Sequence, residues 1–528
     1  MIVPLSVLDF RDRAETFFRN KIGVIDGEKQ FTYGEFGQRT HRLANALRKL
    51  GVQKGDRVSF LTYNSHQLLE AYYGVIEAGA ILNPINIRLT PQDIAAILNH
   101  SASRAIFYHK DFAPLVEGAK AALTHTEHFV IMEGEMAGMA THEYEGLLAS
   151  GSPDYLRPEI DENDVAEVFY TSGTTGKPKG VTLTHRGLHL HALNAALALQ
   201  FSDVEVILHV VPLFHVNGWG TPHFLTMVGG THVMLRKFTP AALLEQVQKH
   251  HVTFLLGVPL IFNAVLNTPN LDQYNVSSIH TLAIGGAPSS PTLIRALQDK
   301  FGGLVMVGYG LSETSPVICL AAPRQHLTHS EPPEQKIVRQ AMTGWAIPGT
   351  QLRVVDASGQ DVRPDGQQIG EIIVRSNAVM QGYYKDPEGT EAAIRDGWFY
   401  TGDMATIDEE GYLLIKDRVK DIIISGGENI SSVEIENALY AHPAVLECAV
   451  VAAPDEKWGE VPVALVVTKP GAQANCDELL AHCRKELAGF KVPKQLVFRE
   501  QLPKGGTGKV LKAELREPFW EGMEKRVH

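Results

Sequence analysis

Apolar and polar positions recur with two different periods along the first two-thirds of the chain. Short apolar runs of strand length alternate with segments in which apolar residues return every three or four positions, as on one face of a helix. The first series predicts strands at 57–61, 80–85 and 105–108 and helices at 65–78 and 91–98. This β-α-β-α-β order predicts a mainly parallel sheet covered by helices.

A second series of the same kind begins after residue 200. It predicts strands at 206–210, 252–256, 281–284 and 304–307, with helices at 259–266 and 291–300. A chain of 528 residues is too long for a single hydrophobic core. The two series therefore predict a large domain of two doubly wound sheets packed together.

The pattern changes in the last third. A polar stretch at 324–340 predicts a long surface excursion, and hairpin-like strands at 351–355 and 371–375 predict a small β subdomain. Beyond about residue 420, strands at 447–451 and 461–467 flank predicted helices at 432–441 and 476–487. The predicted fold is α/β, with a large amino-terminal domain of two doubly wound sheets plus a small β subdomain, and a small α+β carboxyl-terminal domain.

Charge and cysteine content narrow the class of protein. The formal net charge is −12 and long basic clusters are absent from the sequence, so nucleic acid is not expected as a partner. The cysteines have no metal-ligand spacing, which is typical of reduced thiols in the cytoplasm; they are Cys319, Cys448, Cys476 and Cys483. Cys476 and Cys483 are expected to share one helix face.

The sequence predicts neither a secretory signal nor a transmembrane segment. The first residues lack a basic region followed by an apolar stretch, and no window approaches ~20 consecutive apolar residues. A cytoplasmic location is expected, and peripheral contact with a membrane is left open.

The most informative motif is a loop between predicted strands at 165–170 and 181–184. Its glycines let backbone N–H groups face a ligand, its hydroxyls add donors and its lysines add positive charge, a combination that favours a polyphosphate. It is not a Walker A loop, because Pro178 stands where the magnesium-binding hydroxyl would be and a strand follows instead of a helix. A flexible surface hairpin is the alternative. The loop reads Thr171-Ser172-Gly173-Thr174-Thr175-Gly176-Lys177-Pro178-Lys179-Gly180.

In full, this loop resembles the phosphate loop of the adenylate-forming (AMP-binding) acyl-CoA synthetase superfamily, which activates carboxylic acids with ATP and passes them to coenzyme A. Further motifs in the superfamily's order extend the resemblance to nearly the whole chain. They are Gly308-Tyr309-Gly310-Leu311-Ser312-Glu313-Thr314, Tyr400-Thr401-Gly402-Asp403, Asp417-Arg418-Val419-Lys420-Asp421 followed by Ser425-Gly426-Gly427-Glu428-Asn429-Ile430, and Pro503-Lys504-Gly505-Gly506-Thr507-Gly508-Lys509-Val510.

The resemblance implies a nucleotide site at the carboxyl ends of the predicted strands, where ligands bind in open α/β sheets. Tyr309 would contact adenine, Ser312 the α-phosphate and Glu313 a magnesium ion. Ser312 replaces the commoner threonine but keeps the hydroxyl. The glycine-rich turns beside these residues would also contact the nucleotide; they comprise Gly286, Ala287, Pro288, Gly308 and Gly310.

The later motifs imply a mobile small domain. By resemblance, Asp403 would bind the ribose, Arg418 would reach ribose and phosphate, and Lys420 would be the hinge. Lys509 matches the adenylation lysine, although Gly505-Gly506 stands where relatives usually carry bulkier residues. The tunnel for coenzyme A would be lined by Ser425, Gly426, Gly427 and Glu428.

These motifs divide the chain into three parts. The resemblance implies an AMP-binding domain at 1–417, a hinge at 418–421 and a lid domain at 422–528.

The segment from Pro212 to Trp219 resembles the superfamily element that borders the acyl pocket. Amino-acid-activating relatives carry an aspartate where His215 stands, and an unpaired buried ammonium is costly, so amino acids are disfavoured. The wording Phe-His-Val-Asn-x-Trp is similar to fatty acyl-CoA synthetases, whose tryptophan gates the acyl tunnel. A buried core aromatic is the alternative for Trp219. The acyl pocket is assigned His215, Val216, Asn217, Trp219, Gly285 and Val307.

Taken together, the resemblance implies an ATP-dependent acyl-CoA ligase for a medium- or long-chain fatty acid. Mg²⁺ would be the cofactor, ATP and coenzyme A the co-substrates, AMP and pyrophosphate the products, and a homodimer is expected. Four alternatives stay open: an aryl or other small acid as substrate, a carrier protein as acceptor, a P-loop phosphotransferase or ATPase, and a binding protein that kept the fold without catalysis.

Overall fold

The computed structural model describes residues 1–136, 138–171, 178–426, 428–472, 474–504 and 510–521. Within these ranges the strands form four sheets. Up to residue 200 the strands are β1 (Ile22–Asp26), β2 (Lys29–Thr32), β3 (Arg57–Leu61), β4 (Ile81–Pro84), β5 (Ser103–His109), β6 (His128–Met132), β7 (His142–Glu143), β8 (Val165–Thr171) and β9 (Lys179–Thr184). The helices of this part are α1 (Leu8–Phe17), α2 (Tyr33–Lys49), α3 (His66–Glu77), α4 (Pro91–Ser101), α5 (Ala113–Lys120), α6 (Tyr144–Ser150) and α7 (His185–Leu199).

The next part, up to residue 346, also alternates strands and helices. Its strands are β10 (Val206–His209), β11 (Thr231–Met234), β12 (Phe254–Gly257), β13 (Thr281–Ile284), β14 (Leu304–Gly310), β15 (Val317–Leu320) and β16 (Trp345–Ala346). Its helices are α8 (Val216–Trp219), α9 (Thr221–Val228), α10 (Pro240–His250), α11 (Pro259–Leu266), α12 (Pro291–Phe301), α13 (Gln325–Thr328) and α14 (Pro333–Gln340).

The remainder of the chain is richer in antiparallel strands. Its strands are β17 (Thr350–Val355), β18 (Gly370–Ser376), β19 (Gly382–Tyr383), β20 (Ile394–Arg395), β21 (Trp398–Ile407), β22 (Leu413–Arg418), β23 (Ile423–Ser425), β24 (Glu428–Ile430), β25 (Val445–Asp455), β26 (Gly459–Thr468) and β27 (Gln495–Phe498). Its helices are α15 (Pro387–Ala393), α16 (Ser432–Tyr440), α17 (Cys476–Glu486) and α18 (Lys512–Arg516).

Two large sheets confirm the predicted parallel architecture. One has the strand order β19-β9-β8-β4-β3-β5-β6-β7, and the other has the order β16-β15-β14-β13-β12-β10-β11-β1-β2. Neighbours from β8 through β7 and from β14 through β1 are parallel. Antiparallel strands extend these runs, namely β9 and β19 beyond β8, β15 and β16 beyond β14, and β2 beyond β1. One apolar core joins both sheets, since it includes Tyr72 of α3, Leu188 of α7 and Phe254 of β12.

Two smaller antiparallel-rich sheets complete the fold. Strands β17-β18-β21-β20, with β22 on β21, form the predicted β subdomain, and β24-β23-β26-β25, with β27 on β26, form the small terminal sheet. The terminal sheet packs against α16 and α17. Cys476 and Cys483 both lie on α17 against this core, as predicted.

The polar stretch at 324–340 lies mostly at the surface, as predicted, but it contains two helices that the sequence pattern did not predict. They are α13 and α14. Pro333 is the first residue of α14, a position where its missing N–H and fixed φ are favourable, and Ile337 of the same helix is buried. The two adjacent prolines therefore mark a helix start instead of a break.

None of the helices in the described ranges combines the length and the apolar character needed to cross a bilayer.

Buried histidines make the stability of this fold sensitive to acid. Burial lowers the pKa of His191 and His209 to about 3 and that of His185 to about 4. Below about pH 6.5 the unfolded chain binds protons at these positions and the folded chain does not, so stability falls with pH until the folded pKa is reached. Each histidine should remove about 1.4 kcal/mol of unfolding free energy per pH unit in that window.

Replacing His191 with glutamine tests this prediction by urea unfolding at several pH values. The imidazole of His191 accepts the N–H of Val317 at 3.1 Å, and a glutamine oxygen can accept it without titrating. We expect His191→Gln to lose less stability on acidification than the wild type, while His125→Gln, at an exposed position, keeps the wild-type slope. Equal slopes for His191→Gln and the wild type would contradict the prediction.

Candidate active site

Tyr309, Asp403 and Arg418 meet although they lie far apart in the sequence. The Tyr309 hydroxyl donates to Oδ2 of Asp403 at 2.7 Å. Arg418 stands opposite Asp403 in the β21–β22 ladder, and its Nε lies 3.3 Å from Oδ1 of that carboxylate. Burial and the nearby carboxylate raise the pKa of Tyr309 well above its ordinary value, so it is a neutral phenol that donates. The structure thus joins residues of three predicted motifs.

Glycines in these motifs stand where the backbone allows little else. A Cβ atom at Gly310 would lie 1.7 Å from the carbonyl oxygen of Pro316, so any side chain there would collide with backbone. Gly402 has a φ of +72°, in the left-handed region, and its N–H donates to the Glu371 carboxylate at 2.9 Å. The close packing at Gly310 and the left-handed backbone at Gly402 therefore fix the main chain beside Tyr309 and Asp403.

Glu313 follows β14 in a short turn with Ser312, which is buried. The backbone oxygen of Glu313 accepts the N–H of Met380 at 2.8 Å, and its Oε1 accepts the Tyr383 hydroxyl at 3.0 Å. Burial raises the pKa of the Glu313 carboxyl. A half-buried carboxylate oxygen is a hard ligand, and a divalent cation would offset its desolvation. Glu313 therefore fits the role of a magnesium ligand.

Lys179 connects the end of the phosphate loop with Glu313. Its Nζ lies 3.2 Å from Oδ2 of Asp386 and 4.6 Å from the ring centroid of Tyr383, the residue that donates to Glu313. Lys179 also faces Thr171 across the β8–β9 ladder, so the loop joins two antiparallel strands as predicted. The other loop residues assigned to the nucleotide lie outside the described residues; they are Ser172, Gly173, Thr174, Thr175, Gly176 and Lys177.

Trp219 lies at the end of a left-handed turn, a conformation that the sequence did not predict. Consecutive φ values are +32° at Val216, +44° at Asn217, +51° at Gly218, +65° at Trp219 and +89° at Gly220. Left-handed helical geometry costs about 1–2 kcal/mol per residue for side chains other than glycine, and a β-branched residue such as valine is an outlier there.

The turn brings Trp219, which was predicted to border an acyl pocket, close to the end of β13 and to β14. A Cβ atom at Gly285 would lie 3.0 Å from Cη2 of Trp219 and 3.2 Å from the carbonyl oxygen of Gly308, so the indole and the Gly308 carbonyl both lie close to Gly285. Val307 is buried next to this contact, and Gly286 begins the exposed turn Gly286-Ala287-Pro288 after β13. His215 directly precedes the turn.

The segment 418–421, predicted to be a hinge, lies between the β subdomain and the terminal sheet. Strand β22 ends at Arg418 and β23 begins at Ile423, with Lys420 at the surface between them. Burial lowers the pKa of Lys420. From α18, Nη1 of Arg516 donates to the carbonyl oxygen of Lys420 at 2.8 Å.

In the segment assigned to coenzyme A, Ser425 pairs with Glu428 across the β23–β24 ladder. Gly426 has a φ of +61°, and a Cβ atom there would lie 2.8 Å from the indole of Trp458. Gly427 and Lys509 lie outside the described residues.

Sequence reasoning missed two residues that connect these motifs. Tyr383 joins Lys179 to Glu313, and it reaches them because β19 pairs with β9 across about two hundred residues. Glu167 is fully buried in β8 and accepts a hydrogen bond from the Asn217 side chain. A lone acidic residue inside the apolar run at 165–170 was a readable signal for Glu167.

A second cluster of acidic residues and histidine lies elsewhere in the molecule. Asp26, His66 and Glu133 place ligand-type atoms close together. Arg236 donates to Oδ2 of Asp26 at 2.8 Å and to Oε1 of Glu133 at 2.6 Å. The guanidinium supplies the positive charge that these carboxylates need, so the cluster is an ion-pair network.

Comparison with known proteins identifies the family. Residues 10–384 match the AMP-binding enzyme family, and residues 434–509 match the AMP-binding enzyme C-terminal domain. A long-chain-fatty-acid–CoA ligase of Thermus thermophilus is 41% identical over 524 residues, covering 98% of this chain and 96% of the relative. A 2-methylpropanoate–CoA ligase of Humulus lupulus is 37% identical over 531 residues, covering 97% and 95%.

A solved structure agrees with these matches. The crystal structure of an anthranilate CoA ligase in complex with anthranoyl-AMP superposes with a TM-score of 0.90 at 25% identity, covering 98% of this chain and 97% of the other. The large and small domains of both chains therefore share one fold. The two family matches together cover most of the sequence, so the chain belongs to the AMP-binding enzyme family.

Proposed function

We propose that this protein is an ATP-dependent acyl-CoA ligase. It adenylates a carboxylic acid, for which a medium- or long-chain fatty acid is the first choice, and transfers the acyl group to coenzyme A with release of AMP and pyrophosphate. One observation carries the proposal: Trp219 contacts Gly285, and the carbonyl of Gly308 lies close to the same glycine. The proposed acyl pocket at Trp219 and the proposed nucleotide site at Tyr309 are therefore adjacent.

The nucleotide is bound by residues that the structure brings together. Tyr309 presents its ring to the adenine, and Asp403 accepts hydrogen bonds from the ribose. Each carboxylate oxygen has more than one lone pair, so Asp403 can keep its bonds to Tyr309 and Arg418 while it binds the ribose. Arg418, half-exposed beside this carboxylate, reaches ribose and phosphate.

Adenylation needs positioning and charge compensation. The carboxylate of the acid is already a nucleophile, so no general base is required when it attacks the α-phosphorus. The barrier is repulsion between anions, which Lys509, Lys179 and the donors of the phosphate loop reduce. Magnesium bound at Glu313 supplies further positive charge to the phosphates.

Thioester formation uses a second arrangement of the small domain. In this proposal the domain 422–528 rotates against 1–417 at the hinge 418–421, with Lys420 as the pivot. Rotation removes Lys509 from the site and brings the segment 425–428 to the acyl-adenylate as the wall of the coenzyme A tunnel. The homodimer expected from the resemblance stays a prediction.

An aryl acid is the second candidate substrate. It is favoured by the structural match to an anthranilate CoA ligase, whereas the match to a long-chain-fatty-acid–CoA ligase favours a fatty acid. A panel of acids from acetate to stearate, with benzoate and cinnamate, decides between them by acid-dependent AMP release. A second assay without coenzyme A, in which hydroxylamine traps the acyl-adenylate, then measures adenylation separately from acyl transfer to CoA. Release of ADP, or no acid dependence, would refute the proposed function.

Removing the indole of Trp219 should change the preferred chain length. Each buried methylene contributes about 0.8 kcal/mol, so room for two more should favour the longer acid about tenfold in kcat/KM. We expect Trp219→Ala to shift the preference towards longer acids with little change in KM for ATP. Trp345→Ala is the matched control, because it removes a partly buried indole from β16, the edge strand of the sheet that contains β13 and β14. An unchanged profile would place Trp219 in the core.

A further inference from the structure

The loop between β10 and α9 is held by side chains of the opposite sheet and its helices. Asn64 binds it at both sides: its amide donates to the carbonyl oxygen of His209 at 2.7 Å and accepts the N–H of Leu213 at 2.8 Å. Tyr72 of α3 donates to the carbonyl oxygen of Leu213 at 2.6 Å. These contacts fix where the loop starts but do not reach the left-handed turn.

The turn itself is bound by Glu167 of β8. Nδ2 of Asn217 lies 3.0 Å from Oε2 of Glu167, and Nε2 of His223, in α9, lies 2.6 Å from Oε1. All three side chains are buried, and that of Glu167 is fully buried. One carboxylate therefore joins the middle of the turn to the helix that follows it.

A backbone conformation that is unfavourable by itself persists only where its surroundings determine it. Val216 and Trp219 both have positive φ, and Asn217 between them is the residue type that tolerates this region best apart from glycine. The bond from Asn217 to Glu167 ties the middle of this turn to β8. Loss of that bond would let the turn relax and release the indole of Trp219 from Gly285.

We propose that Glu167 is a positioning residue for the acyl pocket: by bridging Asn217 and His223 it fixes the left-handed turn that holds Trp219 against Gly285. The inference rests on the proposed function in one respect, namely that Trp219 borders the acyl pocket. Glu167 lies in the strand that enters the phosphate loop, four residues before Thr171. The width of the acyl pocket therefore depends on the position of β8, the strand that leads into the phosphate-binding loop.

Three substitutions separate the carboxylate bridge from simple packing. Glu167→Ala removes both bonds. Glu167→Gln keeps them, since its oxygen can accept from Asn217 and its amide can donate to the other tautomer of His223. Asn217→Gly removes the bond to Glu167 but leaves the positive φ favourable, so it isolates the side-chain contact from the backbone preference.

The first measurement is the ratio of kcat/KM for octanoate and palmitate. We expect Glu167→Ala and Asn217→Gly to change this ratio by about tenfold, the effect of two methylenes, with KM for ATP within about twofold. Glu167→Gln should keep the wild-type ratio. The matched control is Asn83→Ala, because Asn83 is equally buried in β4 and donates to Ser59 at 2.8 Å, away from the turn. Wild-type ratios in folded Glu167→Ala and Asn217→Gly, or an equal shift in Asn83→Ala, would overturn the proposal.

The second measurement does not require activity. Acrylamide quenching of Trp219 is obtained as the difference between each protein and its Trp219→Phe counterpart. We expect Glu167→Ala and Asn217→Gly to expose the indole and increase its quenching, while Glu167→Gln and Asn83→Ala do not. Absence of acid-dependent AMP release in the wild type would refute the proposed function alone, whereas unchanged quenching of Trp219 would refute the positioning role.

Discussion

Replacing Lys509 with alanine is expected to reduce acyl-adenylate formation by about a hundredfold to a thousandfold. The same variant should convert supplied acyl-adenylate and coenzyme A to the thioester at a rate within about threefold of the wild type. The reason is electrostatic: in adenylation an ammonium group offsets the repulsion between the attacking carboxylate and the triphosphate, whereas in thioester formation the sulfur attacks the acyl carbonyl carbon and no triphosphate is present. The two half-reactions are measured separately, by pyrophosphate release and by consumption of the CoA thiol.

The chain offers a matched control for Lys509. Lys504 is a second lysine of the same motif, and its Nζ pairs with Oε1 of Glu447 at 2.6 Å inside the small domain. Lys504 also bridges Val510 in an antiparallel contact. Lys504→Ala should lower the two half-reactions to a similar, smaller extent. If Lys509→Ala lost both half-reactions equally, the assignment of Lys509 to adenylation would be wrong.

Hydrophobic periodicity predicted the regular parts of the fold because their signals are local. The helix α11 and the strands β3 and β13 begin and end where the pattern placed them. The resemblance to the AMP-binding superfamily is confirmed by the family matches. No helix or strand was predicted in the first 56 residues, although β1 extends one large sheet by pairing with β11. That pairing joins residues about two hundred positions apart, and no local pattern encodes it.

The site was predictable in its residue types but not in its contacts. Glycine-rich turns and charged residues marked Tyr309, Glu313 and Asp403, because each motif is contiguous in the sequence. Their partners depend on how separate sheets pack, so the bonds of Tyr309 to Asp403 and of Tyr383 to Glu313 became visible only in the fold. The roles of these residues towards ATP, magnesium and coenzyme A stay predictions.

The left-handed turn at 216–220 is a case in which local sequence preference predicts the wrong backbone conformation. Val216 and Trp219 have intrinsic preferences against positive φ, so local propensity predicts some other conformation there. Tertiary contacts overrule that preference: Glu167 binds Asn217 from one side, and the backbone of Gly285 leaves space for the indole on the other. Such conflicts between local preference and observed conformation are expected at functional sites.

The second large effect is expected for Glu313. Replacing it with glutamine keeps the size of the side chain and an oxygen that can accept the Tyr383 hydroxyl, but removes the negative charge. If Glu313 holds magnesium, the variant should need a higher magnesium concentration and form acyl-adenylate about a hundredfold more slowly at saturation. Magnesium titrations of pyrophosphate release measure both quantities.

The dependence on pH gives an independent check of the same assignment. Burial raises the pKa of Glu313, so its carboxylate forms at a higher pH than that of an exposed glutamate. Protons and magnesium should therefore compete for this carboxylate, so the magnesium concentration that the wild type needs for adenylation should fall as the pH rises, and Glu313→Gln should lack this change. Glu371→Gln is the matched control, because Glu371 is another half-buried carboxylate with a raised pKa in the same region, bonded to Gly402. A Glu313→Gln variant that keeps the wild-type magnesium requirement and pH profile would remove Glu313 from the metal site.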